Sequence, residues 1–148
     1  QKNKFEEEQL KEFSILFLAI NNLDLFRKNV EIISEIKFSS TIINEFKQKF
    51  IGYLLKEEFF ERKKIDVNDF DLKFKDLINL VNKNASVKII CKNKKDDQIL
   101  LIFNEIMSEI KNIQLQKKIQ SLEDKVSLNL DENLYTELLS LRNQLKGG

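Results

Sequence analysis

Apolar residues in the last third of the chain recur every three or four positions, which is the period of an α-helix. One stripe of such positions consists of Ile99, Phe103, Ile106, Ile110 and Ile113. A second stripe with the same spacing consists of Leu115, Ile119, Leu122 and Val126. The two-residue step between the stripes turns the apolar face by roughly 200°. The pattern therefore predicts one long helix, about residues 97–126, whose two halves contact different neighbours.

A third stripe follows a short loop. It consists of Leu134, Leu138, Leu141 and Leu145. Asp131 and Glu132 suit the start of a helix, because an N-cap oxygen and negative charge in the first turn both stabilise that end. Since the loop is short, the two helices should fold back antiparallel, with the second stripe packed on the third. The sequence thus predicts a C-terminal helical hairpin.

The preceding residues predict shorter helices with broad apolar faces. We expect helices at about 5–20, 40–57 and 66–82, a short turn followed by a helix over about 24–36, and a helical turn at 87–91. The first helix should be central, with its core face at Leu10, Phe13, Phe17 and Ile20. The predicted N-caps are Asp24, a serine of the Phe-Ser-Ser segment at 38–40, Asp66 or Asn68, and Asp96 or Asp97.

Composition favours a fold without strands. The 148 residues include no proline and three glycines, two of them at the C-terminus, so residues that form turns between strands are scarce. Gly52 indicates either close contact with another helix or a surface glycine that costs about 1 kcal/mol relative to Ala. We predict an all-α fold, in which a multi-helix bundle body, residues 1–113, leads through the long helix into the hairpin, residues 114–148.

Charge and targeting signals limit the partners of the chain. Lys and Arg total 25 and Asp and Glu total 24, so strong nonspecific binding of nucleic acid is not predicted. No segment resembles a signal peptide or a membrane span, and the single cysteine, Cys91, cannot form an intrachain disulfide. We therefore expect a cytoplasmic protein that binds neither nucleic acid specifically nor membranes.

Residue types that catalyse reactions are scarce. The chain has no histidine, which is the commonest general base and a frequent metal ligand. Cys91 lies in an apolar run, where an inert buried thiol is favoured over a nucleophile. Residues 66–71 resemble a calcium loop superficially, but the central glycine and the distal glutamate are missing, so helix capping is favoured. We predict a noncatalytic chain without a metal or cofactor.

The last helix carries the main candidate binding surface. The third stripe, Leu134, Leu138, Leu141 and Leu145, is here called the packing stripe. Beside it on the same helix is a second set of positions, here called the outer stripe: Tyr135, Leu139, Arg142 and Lys146. Leu128 and Leu130 should lie at the tip of the hairpin. Exposed apolar and aromatic residues edged by arginine are typical interface anchors. The alternative is that the hairpin folds flat on the body and buries them.

A basic segment precedes the long helix and contains Lys92, Lys94 and Lys95. Such a run is usually a solvated edge, and the alternative is a contact for an acidic peptide or a phosphate. No aromatic residues alternate with these lysines, which disfavours a groove for single-stranded nucleic acid.

Several segments occur in a recognisable order. They are Phe-Ser-Ile-Leu-Phe-Leu-Ala-Ile at 13–20, Asn-Asn-Leu-Asp-Leu-Phe at 21–26, the Phe-Ser-Ser helix start at 38–40, the long bridging helix, and Asp-Glu-Asn-Leu-Tyr-Thr-Glu-Leu-Leu-Ser-Leu-Arg-Asn-Gln-Leu at 131–145. Together, from about residue 10 to 146, they resemble the C-terminal domain of bacterial replicative primase (DnaG). The 131–145 segment is the most specific part of this resemblance.

The resemblance implies a noncatalytic module of a longer primase, which docks on the N-terminal collar of the replicative helicase (DnaB) and couples primer synthesis to unwinding. The hairpin would anchor that contact, and the basic segment would meet the acidic C-terminal tail of the single-strand-binding protein. Two other classes stay open, a stand-alone helical adaptor or regulatory domain and a membrane-surface helical protein. The mixture of acidic and basic residues disfavours the latter.

Overall fold

The computed structural model of the protein describes residues 2–88, 90–128 and 132–147. Within these ranges the chain forms seven α-helices and two short 3-10 helices and contains no strand, which confirms the all-α prediction. The α-helices are α1 (Lys2–Ile20), α2 (Leu23–Lys28), α3 (Val30–Ser34), α4 (Thr41–Leu55), α5 (Leu72–Asn84), α6 (Asp96–Leu128) and α7 (Glu132–Gly147). The 3-10 helices, Glu57–Phe59 and Val67–Asp69, lie between α4 and α5. No helix in the described ranges is both long and apolar enough to cross a membrane.

The chain divides into two compact units, Gln1–Ile106 and Met107–Gly148. The sequence pattern placed this boundary later, after residue 113. Helix α6 runs through the boundary without interruption, so no loop or break in the chain marks it. Hydrophobic periodicity locates where a helix face changes, and this need not coincide with the residue where one unit ends.

Aromatic side chains fill the core of the first unit. Helix α1 packs against α2 and α5, and α4 packs against α2 and α3. The ring of Phe26 on α2 lies 5.1 Å from that of Phe103 on α6. The ring of Phe46 lies within 5.8 Å of three others, those of Phe50, Phe70 and Phe74. Rings from several elements therefore enclose one another, and this restricts how the helices can pack.

Helix α1 buries a broad face, as predicted, but Leu10 is 45% exposed and does not belong to the core. The buried positions on this helix include two carboxylates, Glu8 and Glu12. These place the inward face along residues 8, 12, 15 and 19. Leu10 is two residues from either glutamate and therefore points roughly 200° away from that face.

Glu12 links α1 to the start of α4. The backbone N–H of Ser39 donates to Glu12 Oε2 at 2.8 Å, and Ser39 Oγ donates to Oε1 at 2.9 Å. Ser40 is the N-cap residue, but its side chain makes no capping hydrogen bond. The side chain of Asn44 exchanges two hydrogen bonds with the backbone of Phe38. Side chains of α1 and α4 thus stabilise residues 38 and 39 before α4, whereas a serine side chain was predicted to cap the helix here.

Asp24 lies inside α2, so its predicted role as an N-cap is wrong, and Asn22 occupies the N-cap position. The Asp24 carboxylate instead pairs with Arg27 and Lys63, each at 2.8 Å. The hydrogen bond from Lys63 lowers the pKa of Asp24, and Arg27 adds to this effect. The segment predicted as a short turn followed by a helix, residues 24–36, forms two short helices, α2 and α3, and Asn29 between them adopts a non-helical conformation.

The segment between α5 and α6 forms turns. The backbone N–H of Cys91 donates to the carbonyl of Val87 at 3.0 Å, which is the bonding pattern of the predicted helical turn. Ile89, which was part of the predicted turn, lies outside the described residues. At the start of α6, Gln98 Oε1 accepts from the backbone N–H of Lys95 at 3.0 Å. This is one half of a capping box, and the predicted aspartate caps lie instead in the first helical turn.

The stripes predicted for α6 and α7 are confirmed. All five residues of the first stripe are buried: Ile99, Phe103, Ile106, Ile110 and Ile113. In the second unit, four residues of the other two stripes form a buried cluster and four pack at its edges: Ile119, Leu122, Leu138 and Leu141, with Leu115, Val126, Leu134 and Leu145. Asp131, a predicted start of α7, lies outside the described residues.

Candidate protein-docking surface

The outer stripe lies on α7, one residue after each member of the packing stripe. Successive residues of a helix are about 100° apart, so the outer stripe faces the flank of the hairpin. Tyr135 and Leu139 are 51% and 42% exposed, whereas Leu138 and Leu141 are 3% and 8% exposed. Within the second unit, the apolar residues of the outer stripe are therefore not used to hold the two helices together.

Leu128, at the end of α6, is 83% exposed. Leu130 lies outside the described residues, so the other residue predicted for the hairpin tip has no structural description. Lys146 is exposed in the last turn of α7. A basic side chain at that position also interacts favourably with the partial negative charge of a helix C-terminus.

Arg142 is held across the hairpin. Its Nη2 donates to Glu123 Oε1 of α6 at 2.5 Å, and both side chains remain more than one third exposed. The ion pair holds this guanidinium of the outer stripe against α6, and its other donors remain accessible to solvent. Sequence reasoning missed Glu123, because the two residues are distant in the chain and face each other only when the antiparallel register of the hairpin is known.

The basic segment belongs to the first unit. Lys92, Lys94 and Lys95 are exposed on the turns between α5 and α6, and Asn93 between them has a positive φ of 62°, a conformation that asparagine tolerates better than most residues. Cys91 is half-buried, and this burial raises the pKa of its thiol, although Lys94 has the opposite effect. A protonated thiol is a poor nucleophile.

The acidic run at residues 66–71 stabilises local structure. Asp66 is the N-cap of the second 3-10 helix and accepts from the backbone N–H of Asn68 at 2.9 Å. Asp69 accepts from the hydroxyl of Tyr53 at 2.7 Å. These bonds support capping over the calcium loop, but Asp66 caps the short 3-10 helix, and the predicted helix start at Asp66 or Asn68 is wrong for α5, whose N-cap residue is Asp71. Among the described residues, no group of three or more His, Cys, Asp or Glu side chains could hold a metal ion.

Comparison with models of protein families, with curated proteins and with solved structures finds no match for this chain. The candidate function therefore depends on the residue pattern and on the exposed surfaces.

Proposed function

We propose that this chain is the helicase-binding module of a bacterial replicative primase. In this proposal the hairpin of α6 and α7 docks on the N-terminal collar of the replicative helicase and thereby couples primer synthesis to unwinding at the replication fork. The module contributes binding, and catalysis resides elsewhere in the longer primase.

The observation that carries the proposal is the exposed outer stripe. Tyr135 and Leu139 present an aromatic ring and a branched aliphatic side chain, and Arg142 provides charged donors at their edge. Tyrosine and arginine are enriched among the residues that dominate protein–protein binding, and the exposed leucine beside them adds apolar area to the surface. Because the packing stripe holds α7 against α6, a partner would meet a surface that is already ordered, which lowers the entropic cost of docking.

The proposal is tested by titrating the purified helicase collar against the complete chain and its variants in a calorimeter. Tyr135→Ala and Leu139→Ala should each weaken binding by about 1–3 kcal/mol, the range of an interface anchor. Leu72→Ala is the matched control, because Leu72 is equally apolar and 73% exposed on α5, and it should bind like the unmodified chain. Unchanged binding of both outer-stripe variants would contradict the proposal.

The alternative from the sequence, a stand-alone helical adaptor or regulatory domain, would use the same exposed stripe on a different partner. The titration separates the two, because an adaptor of that kind has no affinity for a helicase collar. Failure of the unmodified chain to bind the collar would therefore favour the adaptor.

For the basic segment we propose a contact with the acidic C-terminal tail of the single-strand-binding protein. It is supported by the exposure of Lys92, Lys94 and Lys95 and by the strength of charge-assisted hydrogen bonds between lysine and carboxylate. Replacing all three lysines with glutamate should abolish binding of a fluorescent tail peptide. Equal binding by the triple variant would leave these lysines as a solvated edge.

A further inference from the structure

Gly52 leaves open space on helix α4. It is the only glycine outside the last two residues of the chain, and a glycine within a helix costs about 1 kcal/mol relative to alanine. A Cβ atom built at this position meets no atom within 4 Å. The close helix contact considered from the sequence is therefore absent among the described residues, and the effect of the missing side chain is to keep a surface groove open.

The groove extends along α4 in the first unit. Gly52, Lys56 and Phe59 line a cavity of about 370 Å³. A second cavity of about 500 Å³ adjoins it and shares Lys49 and Asp71. These volumes fall in the range of ligand-binding clefts. Because the second cavity shares four of its six lining residues with the first, the two form one continuous surface groove beside α4.

Stacked rings line the groove next to Gly52. The rings of Tyr53 and Phe59 are 4.2 Å apart and inclined by 19°, and Phe70 lies 5.1 Å from Tyr53. The hydrogen bond from Tyr53 to Asp69 fixes the tyrosine ring. An aromatic side chain that entered here would meet rings already held in place, so binding would order few groups of the protein.

Charges beside the groove favour an acidic partner at the Gly52 end. Asp69 is already paired with Arg62 and Tyr53, and Glu45 is paired with Lys73 at 3.0 Å, which leaves Asp71 as the one remaining carboxylate among the lining residues. Lys49 is exposed. Lys56 is only 3.6 Å from Glu58 in a pair whose side chains are both about two thirds exposed, and such pairs are weak. Two lysine charges thus flank Gly52 and are accessible to a ligand.

We infer that this groove binds an extended, acidic segment of a partner protein, with an aromatic side chain over Gly52 and carboxylates on Lys49 and Lys56. Those lysines are seven residues apart, or about 10 Å along the helix. In an extended peptide, side chains two positions before and after the aromatic residue face the same side and are about 13 Å apart. Flexible lysine side chains can span the difference. The site belongs to the first unit and is independent of the outer stripe.

The probe is a peptide blocked at both ends, Gly-Glu-Ser-Phe-Ser-Glu-Gly, titrated into the complete isotope-labelled chain. The amide signals of Gly52 and Phe59 in the NMR spectrum should shift and saturate. Peptides with Ala in place of Phe, or Lys in place of both Glu residues, should bind at least about tenfold more weakly, because each removes one of the two proposed interactions. Equal shifts with all three peptides, or no saturable shift, would overturn the inference.

Protein variants supply the second test. Gly52→Leu should fill the groove and weaken binding of the peptide at least about tenfold. Gly52→Ala should stay folded and raise the melting temperature, because alanine favours the helix. The double variant Lys49→Glu, Lys56→Glu should also fail to bind the peptide. Lys28→Glu, at an exposed position of α2, is the charge control and should bind normally. If Gly52→Leu keeps its circular dichroism spectrum and full affinity for the peptide, the groove is not the site.

Discussion

The two compact units use the same helical periodicity but bury their apolar residues to different depths. In the first unit, aromatic rings from different helices enclose one another, and Phe26, Phe46 and Phe103 are almost inaccessible to solvent. In the second unit two helices face each other, and four of the eight packing residues are only partly buried. Burial therefore depends on the neighbours of a helix as well as on its sequence pattern.

This difference explains why the candidate docking surface lies on the hairpin. A helix with neighbours on several sides can bury a broad face, whereas a helix with one neighbour buries a single stripe. The positions next to that stripe must then face solvent or a partner. Tyr135 and Leu139 occupy such positions on α7, so an exposed apolar surface accompanies the packing of the hairpin itself.

The largest expected effect comes from opening the aromatic core. Phe46→Ala should lower the free energy of unfolding by about 3–5 kcal/mol, because the ring is buried against three others and its removal leaves a cavity. Urea unfolding followed by circular dichroism measures the loss. Leu72→Ala, an exposed control, should change stability by less than about 0.5 kcal/mol. A comparable loss in both variants would show that burial does not distinguish them.

Truncating a packed residue between α6 and α7 should lower the free energy of unfolding by less than opening the aromatic core does. Leu138→Ala should cost about 2–3 kcal/mol, near the lower end for a buried leucine, because solvent lies close to a core made by two helices. Amide hydrogen exchange should speed up in α7 while α4 stays protected. Leu139→Ala, its exposed neighbour, should leave both helices protected. Loss of protection throughout the chain in Leu138→Ala would mean that the two units unfold as one.

Tyr53 should make the first unit sensitive to high pH. Burial, and then its hydrogen bond to Asp69, raises the pKa of Tyr53 to about 12. An unfolded tyrosine releases its proton near pH 10, so between about pH 10 and 12 the folded state holds the extra proton. Stability contributed by Tyr53 is complete below pH 10 and is lost as the pH rises through this range.

Replacing Tyr53 with Phe tests this expectation. The variant should lose about 1 kcal/mol near neutral pH, because it lacks the hydrogen bond to Asp69, and its stability should fall less steeply above pH 10. Tyrosinate absorbance in a Tyr135→Phe background, where Tyr53 is the remaining tyrosine, reports the titration directly. Parallel stability profiles for Tyr53→Phe and the unmodified chain would contradict the assignment.

The smallest effect should come from the ion pair beside the outer stripe. Since Glu123 and Arg142 are both exposed by more than one third, a double-mutant cycle with alanine should give a coupling energy of about 0.2–1 kcal/mol. Raising the salt concentration should reduce it further. A coupling as large as the effect of Leu138→Ala would mean that the hairpin depends on charge rather than on its leucine seam.

Periodicity predicted the long helical elements because burial on one face repeats with the helix itself. The three stripes of α6 and α7 were correct at every position, and this in turn gave the exposure of Tyr135 and Leu139. Such stripes require only that each helix has one dominant neighbour. The face of α1 was harder to assign, because two buried glutamates replaced apolar residues in it and Leu10 lay outside it.

Caps and pairs were predicted poorly because each depends on a single contact that can come from a distant element. Asp24 pairs with Arg27 and Lys63 and does not cap a helix. Glu12, on α1, accepts hydrogen bonds from Ser39 in the segment before α4. The aromatic groove was missed for the same reason. Its lining residues come from α4, both 3-10 helices and the start of α5, and no periodic signal joins these segments.

The offset of one residue between the packing stripe and the outer stripe has an evolutionary consequence. Residues 134, 138, 141 and 145 specify the shape of the hairpin, while residues 135, 139, 142 and 146 can change with little effect on that shape. The packing positions and the proposed docking positions are thus neighbours along one helix. The outer positions could be exchanged as a set to retarget the hairpin, and lineages could drift in partner preference while keeping the same scaffold.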